Sequence, residues 1–233
     1  MVNKWSIKGI RAGLILPNVC FLCGSDTGSN RLLCGPCLGD LGTMDQACCC
    51  CGRPMATPGL CPGCSARKPL YEYTIVPYHY DYPVSFLIKL LKYKNNYELA
   101  RELGIALAEH VRAVGRRLPE VILPVPLHPL RSLVRGYNQA REIADGVAVE
   151  LKLPVDTTLI RRTRHTRPQF NLDQAARRRN IKGAFRLTRT PEYHSIALLD
   201  DVVTTGTTVN EIAALLKQAG LKTIEVWACA RAG

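Results

Sequence analysis

From Tyr71 onward, the apolar residues of the chain switch repeatedly between two spacings. Tyr73 to Tyr80 reads as a strand and Val84 to Tyr93 as a helix. Leu99, Leu103, Leu107 and Val111 recur every four residues, the stripe of an amphipathic helix. Val121-Ile122-Leu123-Pro124-Val125 is a short buried strand. A second helix follows from Ile143, Val147 and Leu151, flanked by Ala140, Ala144 and Ala148. Ile196-Ala197-Leu198-Leu199 is apolar without interruption, as in a central parallel strand. Thr207 to Ala219 reads as a helix stopped by Gly220, and Thr223 to Cys229 as a closing strand. Strand and helix alternating in this way predict an α/β fold with a mostly parallel sheet flanked by helices.

Residues 1–70 break that pattern. They are rich in Cys and Gly, with too little apolar periodicity for a core of their own. The chain of 233 residues therefore divides into a small Cys-rich module, 1–70, and an α/β domain, 71–233. Lys4, Lys8 and Arg11 precede Leu14-Ile15-Leu16, which resembles the start of a signal peptide, but Pro17 cuts the apolar stretch short. A short amphipathic helix is expected there instead. No run approaches the ~18 apolar residues of a membrane span. The expected location is cytoplasmic.

Ten of the eleven cysteines lie between Cys20 and Cys64. Eight fall into CxxC pairs: Cys20/Cys23, Cys34/Cys37, Cys48/Cys51 and Cys61/Cys64. Each CxxC turn presents two thiolates to one ion, and two turns complete a tetrahedral site. One or two structural zinc ions are expected, shared between neighbouring pairs or between alternate, cross-braced pairs. Cys49 and Cys50 are spare and leave the register of that run open. Cys229, within a strand, reads as a buried small apolar residue.

The densest chemistry follows the buried strand, in Asp200-Asp201-Val202-Val203-Thr204-Thr205-Gly206-Thr207-Thr208. A tight Thr/Gly turn exposes successive backbone N–H groups, Gly206 lets an anion approach, and the following helix adds its positive dipole end. Thr208 and Glu211 fit a capping box at that helix start. Phosphate repels carboxylate, so Asp200 and Asp201 must serve another part of the ligand. Adjacent acids suit a ribose diol and a hydrated divalent ion. A phosphorylated sugar satisfies both halves of the motif.

This segment resembles the signature of type I phosphoribosyltransferases that binds 5-phosphoribosyl-1-pyrophosphate (PRPP). The resemblance implies that Asp200 and Asp201 hold the ribose hydroxyls, with magnesium accompanying PRPP, and that Val203, Thr204, Thr205, Gly206, Thr207 and Thr208 cradle the 5-phosphate. Two further stretches, Pro124 to Gln139 with Arg135-Gly136-Tyr137-Asn138, and Thr166 to Phe185 with Gln169, Arg177 and Asn180, extend the likeness. With the Cys pairs in front, nearly the whole chain resembles the ComF family, including its GntX-type members. That family joins a zinc module to a phosphoribosyltransferase-like domain and is implicated in natural transformation and use of external DNA. The resemblance places a pyrophosphate loop at Val125, Pro126, Arg135 and Gly136, and a mobile hood carrying Arg161, Gln169, Arg177 and Asn180.

Charge bears on the partner. The net charge is +12, and the segment from Arg161 to Arg189 holds ten Lys and Arg against Asp173 alone. Between residues 71 and 97, eight aromatic residues interleave with Lys89, Lys92 and Lys94. Aromatic faces beside cations suit single-stranded nucleic acid, although tyrosines at alternating positions are also ordinary strand material. Lys89 and Lys92 are the candidate nucleic-acid contacts. Three functions remain open: a DNA-uptake factor binding PRPP and single-stranded DNA together with other uptake proteins, a true phosphoribosyltransferase of nucleotide metabolism, and a zinc-bearing adaptor with a disused ligand site. No residue near the loop presents itself as a general base.

Overall fold

The computed structural model describes residues 19–94, 96–128, 136–164 and 174–233. The amphipathic N-terminal helix expected near Leu14, and the candidate residues Arg135 and Gln169, lie outside them. The chain separates into two compact units, residues 1–38 and 39–233.

The described part of the first unit is a small Cys-containing loop structure. Val19 and Asp26 form an antiparallel bridge, and α1 (Gly35–Gly39) is one short helical segment. Hydrogen bonds hold it together locally, including Phe21 N–H to the Leu32 carbonyl at 2.8 Å.

In the second unit, α2 (Pro62–Ala66) belongs to the remaining Cys pairs. The rest runs β1 (Tyr73–Ile75), β2 (Tyr78–His79), α3 (Val84–Lys94), α4 (Tyr97–Val114), β3 (Val121–Pro124), α5 (Gln139–Leu151), β4 (Ile160–Arg162), α6 (Gln174–Ile181), β5 (Phe185–Leu187), β6 (Ser195–Val203), α7 (Thr207–Gln218) and β7 (Thr223–Arg231). The expected Tyr73–Tyr80 strand is divided in two. Both parts pair with β7 in one parallel register, Ile75 opposite Trp227 and Tyr78 opposite Ala230. Pro77 lies in the gap, where it has no N–H to donate to a ladder.

The main sheet is parallel, with order β1-β7-β6-β3 and β2 also on β7. Its two faces follow the period of two. Val121, Leu123, Ile196, Leu198, Ile224 and Val226 cluster with Val209, Ile212, Ala213 and Leu216 of α7. The alternate residues Ile122, Ala197, Leu199 and Trp227 are fully buried towards the opposite face, which α4 and α5 cover. Cys229 is buried there, its thiol 4.0 Å from the Leu103 carbonyl. Helices α4 and α5 cross closely at Gly104 and Gly146, where a Cβ on Gly104 would stand 2.7 Å from the Ile143 carbonyl oxygen. Asn96 and Asn138 cap the two helices, their side chains accepting from Leu99 N–H and Ala140 N–H.

Two elements escape the periodicity argument. β4 and β5 pair antiparallel, bringing Arg161 opposite Arg186 and Arg162 opposite Phe185. At three residues each they are too short to show a spacing, yet they bracket the segment expected to act as the hood.

Candidate functional site

Strand β6 runs further than its apolar residues suggest, carrying Asp200 and Asp201 within the sheet before Val202 and Val203 pair with Ala230 and Arg231. The two acids therefore emerge at the carboxyl end of a central strand, where ligands of open α/β sheets bind. Each carboxylate is held by the next backbone amide: Asp201 N–H donates to Asp200 Oδ1 at 2.9 Å, and Val202 N–H to Asp201 Oδ1 at 2.8 Å. Burial, reinforced by the charge of Asp201, pushes the Asp200 carboxyl up to about 8.

The loop beyond them turns on Gly206, whose φ of 70° is left-handed. A side chain there would be strained in φ, and its Cβ would stand 3.0 Å from the Tyr71 hydroxyl. Thr205 and Thr207 bring their hydroxyl oxygens within 2.8 Å of each other. Gly206 is itself the N-cap of α7, with no side-chain cap. The predicted Thr208–Glu211 capping box is not formed. The glycine starts the helix earlier, at Thr207, and Glu211 Oε1 instead accepts the Gly183 N–H at 2.7 Å. Glu211 thus ties the end of the 161–185 segment to α7. The amino end of α7 offers its positive dipole to an anion.

Lys92 does not stand among exposed aromatic rings. Its ammonium contacts Asp201 Oδ2 at 2.7 Å with only 23% of the side chain exposed. Burial works to lower its pKa, but the Asp201 carboxylate, the hydrogen bond to it and the charge of Asp200 outweigh burial and raise it. The reason is geometric: Lys92 faces the sheet end on α3, whereas Lys89, three residues earlier, is exposed. Phe86 and Tyr82 lie on the open side with Lys89, their ring centroids 6.3 Å apart and Tyr82 79% exposed. Three of the other aromatic residues have structural places. Tyr71 and Tyr78 are buried, and the Tyr73 ring carries the Arg116 guanidinium at 4.3 Å.

The Pro-rich turn sits beside the acids. Pro124 is opposite Leu199, and Val125 N–H continues the ladder to the Leu199 carbonyl at 2.8 Å. Asn138 Nδ2 donates to the Val125 carbonyl at 3.0 Å while its Oδ1 caps α5, fixing Val125 and Pro126 relative to the Gly136 side of the loop. Gly136 has φ 78°. In the hood, Arg161 is exposed on β4, and Asn180 lies on α6 with its carbonyl accepting from Arg164 at 2.7 Å. Arg177 lies on α6. Part of the basic excess is neutralised in space: Arg189 meets Asp156 at 2.6 Å. A cavity of about 430 Å³, lined by Arg116, Glu120, His194 and Lys222, lies at the amino ends of β6 and β7, opposite the acids and the loop 204–208.

The cysteines resolve into two groups of four, Cys20/Cys23/Cys34/Cys37 and Cys48/Cys51/Cys61/Cys64. Neighbouring pairs share a centre, and the register of the crowded run is Cys48 with Cys51. All the sulfurs in each group lie within 4.8 Å of one another. Cys23–Cys34 and Cys51–Cys61 are 3.7 and 3.6 Å apart, close to the roughly 3.8 Å edge of a tetrahedron with Zn–S of about 2.3 Å. No disulfide joins them. Backbone amides point at the sulfurs, Cys34 N–H to Cys20 and Cys61 N–H to Cys48 at 3.4 and 3.3 Å. Burial opposes ionisation, but these donors, with others from Cys23 and Leu22 at Cys20 and from Cys51 and Cys50 at Cys48, bring the two thiols down to about 6 and about 7. Burial pushes Cys50, which is outside the group, up to about 11. The donor set fits two zinc sites, each of four thiolates.

Comparison with known proteins agrees with both halves. Residues 12–65 match the double zinc ribbon domain and residues 134–232 the phosphoribosyl transferase domain. The chain is 38% identical to "Competence protein F" of Haemophilus influenzae over 179 residues, covering 74% of this chain and 78% of that protein. It is 35% identical to "DNA utilization protein YhgH" of Salmonella typhimurium over 224 residues, 94% of this chain and 99% of that one. The Escherichia coli K12 protein of the same name is 34% identical over the same span. Among the described residues, no helix is long and apolar enough to cross a membrane.

Proposed function

This chain belongs to the ComF family, that of competence protein F and YhgH, and from that membership we propose that it binds PRPP and single-stranded DNA in the cytoplasm, in the service of DNA uptake or use. The observation that carries the ligand half is the meeting of two unlike features at one strand end: an acid pair at Asp200 and Asp201, and a Thr/Gly nest on the amino end of α7. Phosphate goes to the nest, from Thr204 to Thr208. The ribose hydroxyls donate to the carboxylates. Asp200 and Asp201 would hold the magnesium that accompanies PRPP, which would supply positive charge to offset that of the pyrophosphate. Val125, Pro126 and Gly136 approach the pyrophosphate, and the segment bearing Asn180 covers the site.

The DNA half rests on the open Tyr82–Phe86 pair beside Lys89 and on the relatives' names. Lys89 and Lys92 are three residues apart on α3, so the aromatic face leads along one helix towards the acid pair. Free cysteines and two zinc sites suit a reducing compartment.

One set of titrations tests this reading. PRPP with magnesium should raise the thermal midpoint, because a ligand that binds only the native state stabilises it by mass action. Single-stranded DNA should bind more tightly than duplex at low salt. Release of pyrophosphate from PRPP upon addition of a nucleobase would establish the enzyme reading in its place. No stabilisation by PRPP and no preference for single strands would sink the proposal.

A further inference from the structure

We propose that Arg231 is a positioning residue that couples the second four-cysteine centre to the phosphate loop, so that metal at Cys48, Cys51, Cys61 and Cys64 shapes the anion nest at 204–208. The inference rests on the reading of that loop as a phosphate site.

Arg231 is the last residue of β7 and is only 3% exposed. Its guanidinium has two sets of partners. On one side Nε donates to the Cys51 carbonyl at 3.0 Å. On the other, Nη1 donates to the Val203 carbonyl at 3.3 Å and to that of Ala232. Cys51 is a ligand of the second centre, and Val203 is the residue from which the phosphate loop departs. One rigid planar fork therefore spans both.

Independent contacts follow the same route. The Thr74 hydroxyl donates to the Cys50 carbonyl at 2.6 Å, and Thr74 N–H to that of Cys49 at 3.3 Å. The Cys50 thiol lies 3.8 Å from the Tyr71 carbonyl, and the Tyr71 hydroxyl lies under Gly206. Leu70 N–H donates to Asn210 Oδ1 at 2.8 Å, in the first turn of α7. Residues 48–51 and 70–74 thus underlie the loop from Val203 to Asn210.

Charge adds a reason for the metal to matter. Four thiolates around one zinc ion leave the centre negative. A buried guanidinium needs compensation of that sign, because an unpaired buried charge is costly. Zinc orders the 48–51 turn, the turn supplies the Cys51 carbonyl, and the guanidinium carries that order to Val203. Lysine would keep the charge and lose the fork. Methionine would lose both.

The test uses the full zinc-loaded chain and reads amide hydrogen exchange in peptides spanning 204–208, with zinc content and PRPP titration alongside. In Arg231→Met the loop amides should exchange roughly tenfold faster, the order expected on losing hydrogen bonds from a charged donor. The effect should be confined to 48–51 and 203–210, with the amides of β3 unchanged. Arg231→Lys should fall between this variant and the wild type. In the wild type, stepwise zinc removal by a chelator should accelerate loop exchange in parallel with loss of metal from the second centre, which keeps the proposal testable if Arg231→Met does not fold. Loss of that zinc without faster exchange at 204–208 would overturn the coupling, as would faster exchange spread evenly over the sheet in Arg231→Met. PRPP separates the two readings: a loop that responds to zinc in a chain that never binds PRPP would refute the phosphoribosyl reading and leave the coupling intact.

Discussion

The chain builds the same four-cysteine centre twice and gives the two copies different surroundings. In the first, Cys20 and Cys34 are buried, Cys23 is exposed, and the backbone bonds at Cys20 and Phe21 stay within residues 20–32. In the second, Cys48, Cys61 and Cys64 are all buried. Its turn is bonded to Thr74 of β1 and Arg231 of β7, and Gly52 packs against Thr74 and Val76, a Cβ there standing 2.9 Å from the Thr74 methyl. The first centre orders a small unit of its own. The second is part of the wall of the α/β unit, next to the loop 204–208. Ligand spacing decides which ion is held. What that ion supports is decided by the neighbours.

Removing each centre in turn should make the largest difference. A Cys48→Ser/Cys61→Ser variant should lose one of two zinc ions and suffer a large fall in the main thermal midpoint. Zinc–thiolate binding of about 10–16 kcal/mol in small peptides sets the scale of what is withdrawn. Cys20→Ser/Cys34→Ser should also lose one zinc, while the main transition stays within a few degrees of the wild type. Metal analysis with calorimetry checks both. Equal falls in midpoint would abolish the distinction between the centres.

The sequence made one side of this comparison visible. Four CxxC pairs declare eight ligands, and an apolar strand, two acids and a Thr/Gly turn declare a sugar-phosphate loop, because local spacing carries both signals. It could not show which pairs share a metal, since neighbouring and alternate pairing need the same spacing. Nor could it reveal Arg231, whose partner Cys51 is 180 residues away, or Lys92, whose partner Asp201 lies on a strand more than half the domain further along. Lys92 read as a nucleic-acid contact because a lysine among tyrosines looks the same whether it points out or in. Glu211 failed as a capping residue for a related reason: its competing partner, Gly183, is brought close only by the tertiary fold. The short β4–β5 pair had too few residues to display a period.

The acid pair offers a second contrast, next in size. Asp201 is bound to a half-buried lysine, whereas Asp200 is a partly buried acid beside a like charge. Asp201→Asn should strand Lys92 and cost about 2 kcal/mol, below the range for fully buried pairs because Lys92 retains some exposure. Asp200→Asn should leave stability unchanged or raise it slightly. Both should abolish stabilisation by magnesium and PRPP. Chemical denaturation with and without ligand measures the four quantities, and equal stability of the two variants would remove Asp201 as the anchoring acid.

A smaller effect is expected on the open side of α3. Phe86→Ala should weaken single-strand binding by about 1–3 kcal/mol, the value of one stacked base. Lys89→Ala should lower affinity for all sequences alike and reduce the salt slope by about 0.7, the share of one phosphate contact on a single strand. Titrations at several salt concentrations separate the two. A Phe86 variant that binds like the wild type would remove the aromatic pair from the interface.

A further effect is a pH dependence, and its sign follows from Asp200. The folded chain holds this carboxyl at about 8, far above the ordinary carboxylate range near 4, because of burial and then the charge of Asp201. The native state therefore binds its proton more tightly than the unfolded state does. The associated stability is complete below about pH 4 and is lost progressively as pH rises through about 8. Relative to Asp200→Asn, which cannot titrate, the wild type without ligand should become less stable between about pH 6 and 9. The slope should stay below the roughly 1.4 kcal/mol per pH unit of one fully coupled proton. Ligand binding should run the other way. A ribose diol and magnesium both require the ionised acid, so at neutral pH binding must expel a proton, and affinity should rise towards about pH 8 and then level off. PRPP has phosphate groups that also titrate, so the informative quantity is proton release by calorimetry in buffers of different ionisation enthalpy, wild type minus Asp200→Glu. The glutamate keeps an acid while moving it by one methylene, so release should persist with a shifted midpoint. Wild-type stability that tracks Asp200→Asn across the whole range would show that Asp200 is ionised throughout, and that the strand end carries two negative charges against Lys92 alone.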